Sequence, residues 1–359
     1  MRFALASGLL LCVLCGSAQS QTAASTAPHP ANATTLPVVS VSGVQPGPGL
    51  WKISKDGHVM WVLGTLSPLP EKMQWQSRDL AQVIAHAQVI LQSPKVTLKV
   101  NTGFFGKLFL LPSAYSARKN DDGKTLQQVL PAELYARWLP LKQNYIGDDR
   151  GIERWRPIFA AQELYKKALK GNGLSGSGGI PTVIDGLAKQ YGVTQQPTDY
   201  QLVIDKPRDA LKAFKSSGLD DVGCFGRTLD AIEKDMSTMT QRANAWATGD
   251  LATLRQLPDS HRRDACIAAI AGAGFAQQLG IDDVPARLQA VWLATARTAL
   301  QNNTQSFAVL PMDELLSPTG YVSTLKAEGY TVQSPDEAED DGAAPAGSAA
   351  RPAEISPSH

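Results

Sequence analysis

The chain has 359 residues, with 34 Lys and Arg against 33 Asp and Glu and a net charge of +1. That length allows one large domain or two small ones. The aromatic (7%) and charged (19%) fractions are ordinary for a globular protein, which argues against a low-complexity chain. A net charge near zero gives no pointer to nucleic acid or to an acidic membrane.

The first segment reads as a secretory signal. Arg2 supplies the positive charge, and Ala4–Cys15 is an apolar run too short to span a bilayer. Small residues Gly16, Ala18 and Ser20 offer cleavage after Ala18 or Ser20; an uncleaved anchor is the alternative. Val13 and Leu14 before Cys15 argue against a lipoprotein anchor. Cys12 and Cys15 leave with the signal, so Cys224 and Cys266 remain. In an oxidising compartment two such thiols pair, and a Cys224–Cys266 disulfide is expected. Export places the mature protein outside the cytoplasm, in the periplasm if the source is Gram-negative. Residues 21–48, rich in Ala, Thr and Pro, read as a disordered linker.

Folded sequence begins at Gly49 or Leu50. Trp51–Ser54 and Val59–Leu63 flank Lys55-Asp56-Gly57-His58, and Asp-Gly between apolar runs signals a hairpin. Gly64-Thr65-Leu66-Ser67 and Pro68-Leu69-Pro70 follow. Ser77 is the expected cap of a helix carrying Leu80, Val83, Ile84 and Ala87 at helical spacing. Val89–Leu91 is a short strand ending at Gln92. Strand, Gly-turn, helix and strand make an α/β opening, whose chemistry gathers at the strand ends, here Ser67 and Gln92.

Lys95–Val100 reads as an edge strand. The apolar run Phe104-Phe105 with Leu108–Leu111 reads as core packing, or else as a substrate-facing lip. Helices are expected over Thr125–Tyr145 with a break at Pro131, and over Ile152–Leu169 with Pro157 in its first turn. The Gly-rich stretch 171–179 lacks a Gly-Lys-Ser/Thr ending and follows no strand, so it is a loop rather than a phosphate cradle. Further helices are expected over Val183–Tyr191, Asp209–Lys215, Phe225–Thr248, Arg262–Ile270 and from Pro285 to Leu300, with a strand starting at Val193. Gly249 stops the long Met-rich helix and Asp250 caps the next. Phe307–Leu310 is a buried strand, Thr319–Glu328 the last helix and Tyr330–Val332 the last strand. The acidic segment from Asp336 and the Ala- and Pro-rich end read as a solvated tail.

Leu50-Trp51-Lys52, the hairpin, Gly64-Thr65 with Leu69-Pro70, and the helix and strand after them resemble the start of the TraB/GumN family, which includes the TIKI proteases. The resemblance covers roughly Gly49 to Val332. It implies a G-x-x-H motif after the second strand, a Glu at the end of the next, and a second G-x-x-H before a final helix ending in Gly-Tyr. In enzymatic members those groups are taken to hold a divalent metal. This sequence departs at each place. Ser67 stands for the first His and Gln92 for the Glu. Counting back from Gly329-Tyr330, Glu314 falls on the second His and Pro311 on its Gly. Asp185 stands where the family usually has an Asp, and Gln196-Pro197-Thr198 where it tends to place a Glu.

The chain's five His form no H-x-x-H or H-x-x-x-H pair. His29 and His359 fall in the terminal segments, His58 in the hairpin turn, His86 on the first helix and His261 in a loop. A His-based metal site is therefore set aside. Asp313 and Glu314 could hold a hard cation weakly, but Ser67 and Gln92 are poor partners for it. The expected architecture is α/β: a mixed central sheet from the N- and C-terminal segments around a large helical middle region. Expected boundaries are a signal over 1–20, a linker over 21–48, the TraB/GumN-like domain over 49–333 and a tail over 334–359. Gly64, Thr65, Ser67, Gln92, Asp313 and Glu314 are the candidate binding residues. The expected function is non-catalytic binding of a peptide, protein or envelope component, without a cofactor and without nucleic acid. The competing reading is a remodelled hydrolase or peptidase using Ser67 and Glu314, with a weakly held divalent metal.

Overall fold

The computed structural model describes residues 45–340 except 72, 74, 76, 77, 177, 178, 218, 258–261 and 279–282. The expected signal, most of the linker, the Ser77 cap, His29, His261, His359 and the end of the tail lie outside the described residues.

The chain opens on the hairpin β1 (Leu50–Lys55) and β2 (His58–Thr65). Asp56 (φ 51°) and Gly57 (φ 85°) form its tight turn, since paired positive φ values match the twist of the strands. There follow β3 (Leu69–Pro70), α1 (Arg78–His86), β4 (Val89–Leu91), β5 (Lys95–Val100) and α2 (Phe104–Ala117). The helical middle comprises α3 (Leu126–Val129), α4 (Ala132–Tyr145) and α5 (Pro157–Gly171), then β6 (Leu174–Ser175), α6 (Ile180–Tyr191), β7 (Thr194–Gln196) and β8 (Asp199–Ile204). Next come α7 (Pro207–Ser216), α8 (Asp221–Glu233), α9 (Met236–Thr248), α10 (Leu251–Gln256), α11 (Arg262–Ala271) and α12 (Gly274–Gln278). The chain returns through α13 (Val284–Asn302), β9 (Gln305–Pro311), α14 (Met312–Leu316), α15 (Tyr321–Ala327), β10 (Thr331–Gln333) and α16 (Pro335–Asp340).

The central sheet is mixed, in the order β10-β1-β2-β9-β4-β7. Strands β2, β9, β4 and β7 run parallel; β1 joins β2 antiparallel, and β10 joins β1 antiparallel at the sheet's edge, so β1 alone runs against the rest. The path β2, β4, β7 moves one way across the sheet, and α13 carries the chain back the other way to β9. Right-handed crossovers then require helices on opposite faces. Accordingly α1 packs with α6, and α13 packs with α15. Strand β9, buried from Ser306 to Leu310, is the middle of the core.

A second cluster lies in the helical middle, where Trp138, Leu164, Phe225 and Leu229 are buried together. The Cys224–Cys266 disulfide (Cα–Cα 4.5 Å) ties α11 to α8 across 42 residues, as expected. Pro131 caps α4 and so divides α3 from α4, and Pro157 occupies the first turn of α5. Gly249 (φ 76°) ends α9, and the Asp250 carboxylate accepts from Thr253 N at 2.9 Å.

Several expectations need correction. The segment Phe225–Thr248 is two helices, broken at Lys234–Asp235. Phe225, Leu229, Ile232 and Met239 belong to the helical cluster, while Ala243 and Trp246 belong to the sheet's core. A straight helix cannot serve both, so the break turns the chain from one core to the other. The stretch expected from Ile152 begins as a 3₁₀ turn, and its helix starts only at Pro157, whose preset φ suits a first turn. Ordered backbone starts before Gly49: Gln45 bridges Trp75, and Gly47 N donates to Ala247 O at 2.9 Å. At the other end, the acidic stretch continues as α16, held by an ion pair between Asp336 and Arg255. Strand β5 pairs in parallel with β8 rather than joining the central sheet. The apolar run after Asn101 is not core. It forms α2, on which Leu108, Phe109 and Leu111 are more than half exposed.

Candidate functional site

The parallel strands β2, β9, β4 and β7 all end at one edge of the sheet. The loops after β2 and β9 lead to helices on opposite faces, and a crevice opens where neighbouring strands part in this way. At that edge a cavity of 360 Å³ is lined by Thr65, Ser67, Gln92, Ser93, Asp185 and Gln195, among others. Ser67 and Gln92, the two positions expected at the strand ends, are thus brought together. Ser67 is exposed and Gln92 is half-buried.

Hydrogen bonds fix Gln92 in a chain of polar groups. Lys95 Nζ donates to Gln92 Oε1 at 3.4 Å, Gln92 Nε2 donates to Gln195 Oε1 at 3.2 Å, and Gln195 Nε2 donates to Asp185 Oδ1 at 2.9 Å. Both amides are oriented by the charges at the ends: each turns its oxygen to the cation side and its NH₂ to the carboxylate side. A carboxylate at position 92 would force Gln195 to turn its NH₂ toward it and its oxygen toward Asp185. The neutral side chain at 92 is therefore matched to its neighbours. The backbone is fastened too: Gln92 N donates to Gln196 O at 3.0 Å, and Thr198 Oγ1 donates to Gln92 O at 2.7 Å.

Gly64 and Thr65 contribute differently from expectation. Gly64 is buried, and its carbonyl accepts from Trp246 Nε1 at 2.7 Å. A Cβ there would lie 2.4 Å from Met312 Cε and 2.9 Å from Leu315 Cδ1. Glycine at 64 serves close packing of β2 on α14. Thr65 lines the cavity, but its hydroxyl donates to Leu310 O at 3.2 Å.

Glu314 does not join Ser67 and Gln92. It lines a second cavity of 730 Å³, with apolar walls including Val96, Leu202, Ile267 and Leu288. Lys95 is the wall common to both cavities. Burial pushes the Glu314 carboxyl above the ordinary carboxylate range; Arg263 opposes the rise, and Asp313 and Asp264 add to it. Burial likewise pushes the Tyr321 phenol up to about 12, with Glu314 adding to the shift. Asp313 points elsewhere, accepting from Arg242 Nη2 at 2.8 Å. That guanidinium is 8% exposed and also donates to Leu257 O at 2.6 Å, so Asp313 neutralises a buried cation. Adjacent positions on α14 differ so completely because successive helical side chains are about 100° apart.

These residues do not fit a divalent metal. The Gln92 amide is engaged on both sides, Asp313 is paired, and Glu314 lies in the other cavity beside Arg263. Among the described residues there is no group of three His, Cys, Asp or Glu able to hold such an ion. The two described histidines outside the cavities contact carbonyls: His58 Nδ1 is 2.7 Å from Asn303 O, and His86 Nδ1 is 2.8 Å from Gln82 O. Sequence reading missed Lys95 and Gln195. Gln195 enters the site because β7 lies beside β4 with Ile90 opposite Gln195, a pairing that no local motif announces.

Among the described residues no helix is long and apolar enough to cross a membrane. Neither a curated protein nor a solved structure matches the chain. The TraB/PrgY/gumN family model matches residues 49–334, most of the chain and all of the central sheet, and the chain belongs to that family.

Proposed function

We propose that this chain is an exported member of the family that binds without catalysis, taking an extended peptide segment of an envelope protein into the cleft beside Ser67 and Gln92. The observation that carries this reading is the Lys95–Gln92–Gln195–Asp185 chain of hydrogen bonds, in which the side chains central to the cleft are neutral amides, poor ligands for a divalent metal. Amides and hydroxyls are the groups that recognise peptide N–H and C=O. Strand β7 supports the same reading, because it is the outer strand of the sheet and borders the cleft. An edge strand can accept a further strand by main-chain hydrogen bonding.

The test is metal analysis and a peptidase screen with added Mn²⁺ or Co²⁺, alongside binding to an immobilised peptide library. Expected are no stoichiometric metal, no turnover, and peptide binding that falls in Gln92→Leu. Turnover that disappears in Glu314→Ala would replace this reading with the remodelled hydrolase. The feature favouring that second reading is Glu314 itself, whose carboxyl is raised by burial at the end of an apolar groove. Against it, Ser67 and Glu314 line different cavities, whereas a serine nucleophile needs its base within hydrogen-bond reach.

A further inference from the structure

A different face of the molecule carries its own signal. Helix α2 turns apolar side chains to solvent rather than to the core. Leu108, Leu111 and Tyr115 are spaced i, i+3, i+7 and so share one face; they are 52%, 59% and 53% exposed. Phe109 beside them is 71% exposed. The opposite side of α2 is the packed one, with Ala117 buried and Gly106 and Leu110 partly covered. Contiguous exposed apolar surface of this kind marks an interaction site.

Helix α7 lies alongside and parallel to α2. At one end, Arg208 and Pro207 share a cavity with Gly106 and Leu110; at the other, Lys215 Nζ donates to Ser116 Oγ at 2.6 Å. Arg208, Lys212 and Lys215 are spaced i, i+4, i+7, so they form one cationic stripe beside the apolar helix. The stripe continues past the end of α2: the Arg118 guanidinium lies 3.9 Å from the Tyr115 ring centroid and Lys119 Nζ lies 5.2 Å from it. Asp209 is the acidic residue on α7, and Asp121 and Asp122 follow beyond Lys119.

From this we infer that the α2–α7 face is a docking surface for a membrane leaflet containing anionic lipid. Charge complementarity selects the occupant. Leu108, Phe109 and Leu111 enter the boundary between headgroups and acyl chains, Tyr115 sits at headgroup level, and the cationic stripe contacts lipid phosphates. The chain lies on the membrane through this face rather than crossing it. The cleft beside Gln92 is not part of the face, so this inference stands independently of the proposed function.

The test is flotation of the full chain with vesicles of phosphatidylcholine alone or with added phosphatidylglycerol. Expected is binding that rises with phosphatidylglycerol and weakens with salt. Each cation removed in Arg208→Gln and Lys212→Gln should lower the phosphatidylglycerol-dependent part about fivefold, with melting unchanged. Leu111→Ser with Phe109→Ser should abolish that part. The N-terminal apolar segment is present in every sample and cancels in these comparisons. A second readout lies at the face itself: Leu111→Cys in a Cys12→Ser, Cys15→Ser background carries an environment-sensitive dye, which should shift to the blue on anionic vesicles. Variants that bind as the wild type, or a dye that does not shift while the chain floats, would overturn the inference. So would self-association abolished by Leu111→Ser without lipid binding, which assigns the face to a second copy of the chain.

Discussion

Replacing Cys224 and Cys266 together by Ala tests how the helical middle is held. The disulfide joins α8 to α11 and closes a loop with a sequence separation of 42. In the chain-entropy treatment, a loop of that size stabilises the native state by about 4 kcal/mol, because the cross-link restricts the unfolded chain. Cys224 is 1% exposed, so Ala rather than Ser is the replacement; a buried hydroxyl would add its own cost. The assay is urea unfolding of unreduced wild type against the double variant, followed by ellipticity. Stability should fall by about 3–4 kcal/mol. The denaturant slope should also rise, since an unfolded chain without the cross-link exposes more surface. A loss below about 1 kcal/mol with an unchanged slope would refute the entropic account. Two reactive thiols in denatured, unreduced protein lacking Cys12 and Cys15 would refute the pairing itself.

Four further outcomes follow from the same structure. Gly64→Ala should destabilise by about 1–3 kcal/mol by overpacking, because its Cβ meets the buried Met312 and Leu315 side chains; adding Met312→Leu should recover part of the loss in urea titrations. Arg156→Met should cost about 3–5 kcal/mol, since it leaves the buried Asp221 carboxylate without the partner it has at 3.0 Å; the paired change with Asp221→Leu should be milder. Asp336 is held down to about 2, chiefly by its hydrogen bond from Arg255. A depressed carboxylate stabilises the fold above its ordinary value of 3.8 and loses that contribution as pH falls toward 2, so Asp336→Asn should matter at pH 7 and cease to matter in acid. The pair is partly exposed, so the effect at pH 7 is under about 1 kcal/mol. Glu314 has the opposite sign: its raised folded value means ionisation weakens the fold as pH climbs above 4.5. Glu314→Gln should therefore gain on wild type in melting temperature at neutral pH and show no gain below pH 4.5.

The sequence by itself determined the elements whose causes are local. Asp56-Gly57 set the hairpin turn, Pro131 and Pro157 set helix starts, Gly249 and Asp250 set a stop and a cap, and apolar spacing marked α1 and α13. It also carried the family resemblance, which the match over residues 49–334 shows. Only the tertiary structure decided how distant segments meet. Gln195 reached Gln92 through the parallel pairing of β4 with β7, while one turn of α14 sent Asp313 to Arg242 and Glu314 to the second groove. The apolar run in α2 was legible as hydrophobic but not as exposed, because periodicity reports which residues share a face and not what covers that face. Net charge has a related limit: a sum over the chain erases position, and only the packing of α7 beside α2 sets its cationic stripe next to the apolar face. Local chemistry is written within a few residues, whereas a site or a surface is a relation between segments that only folding brings together.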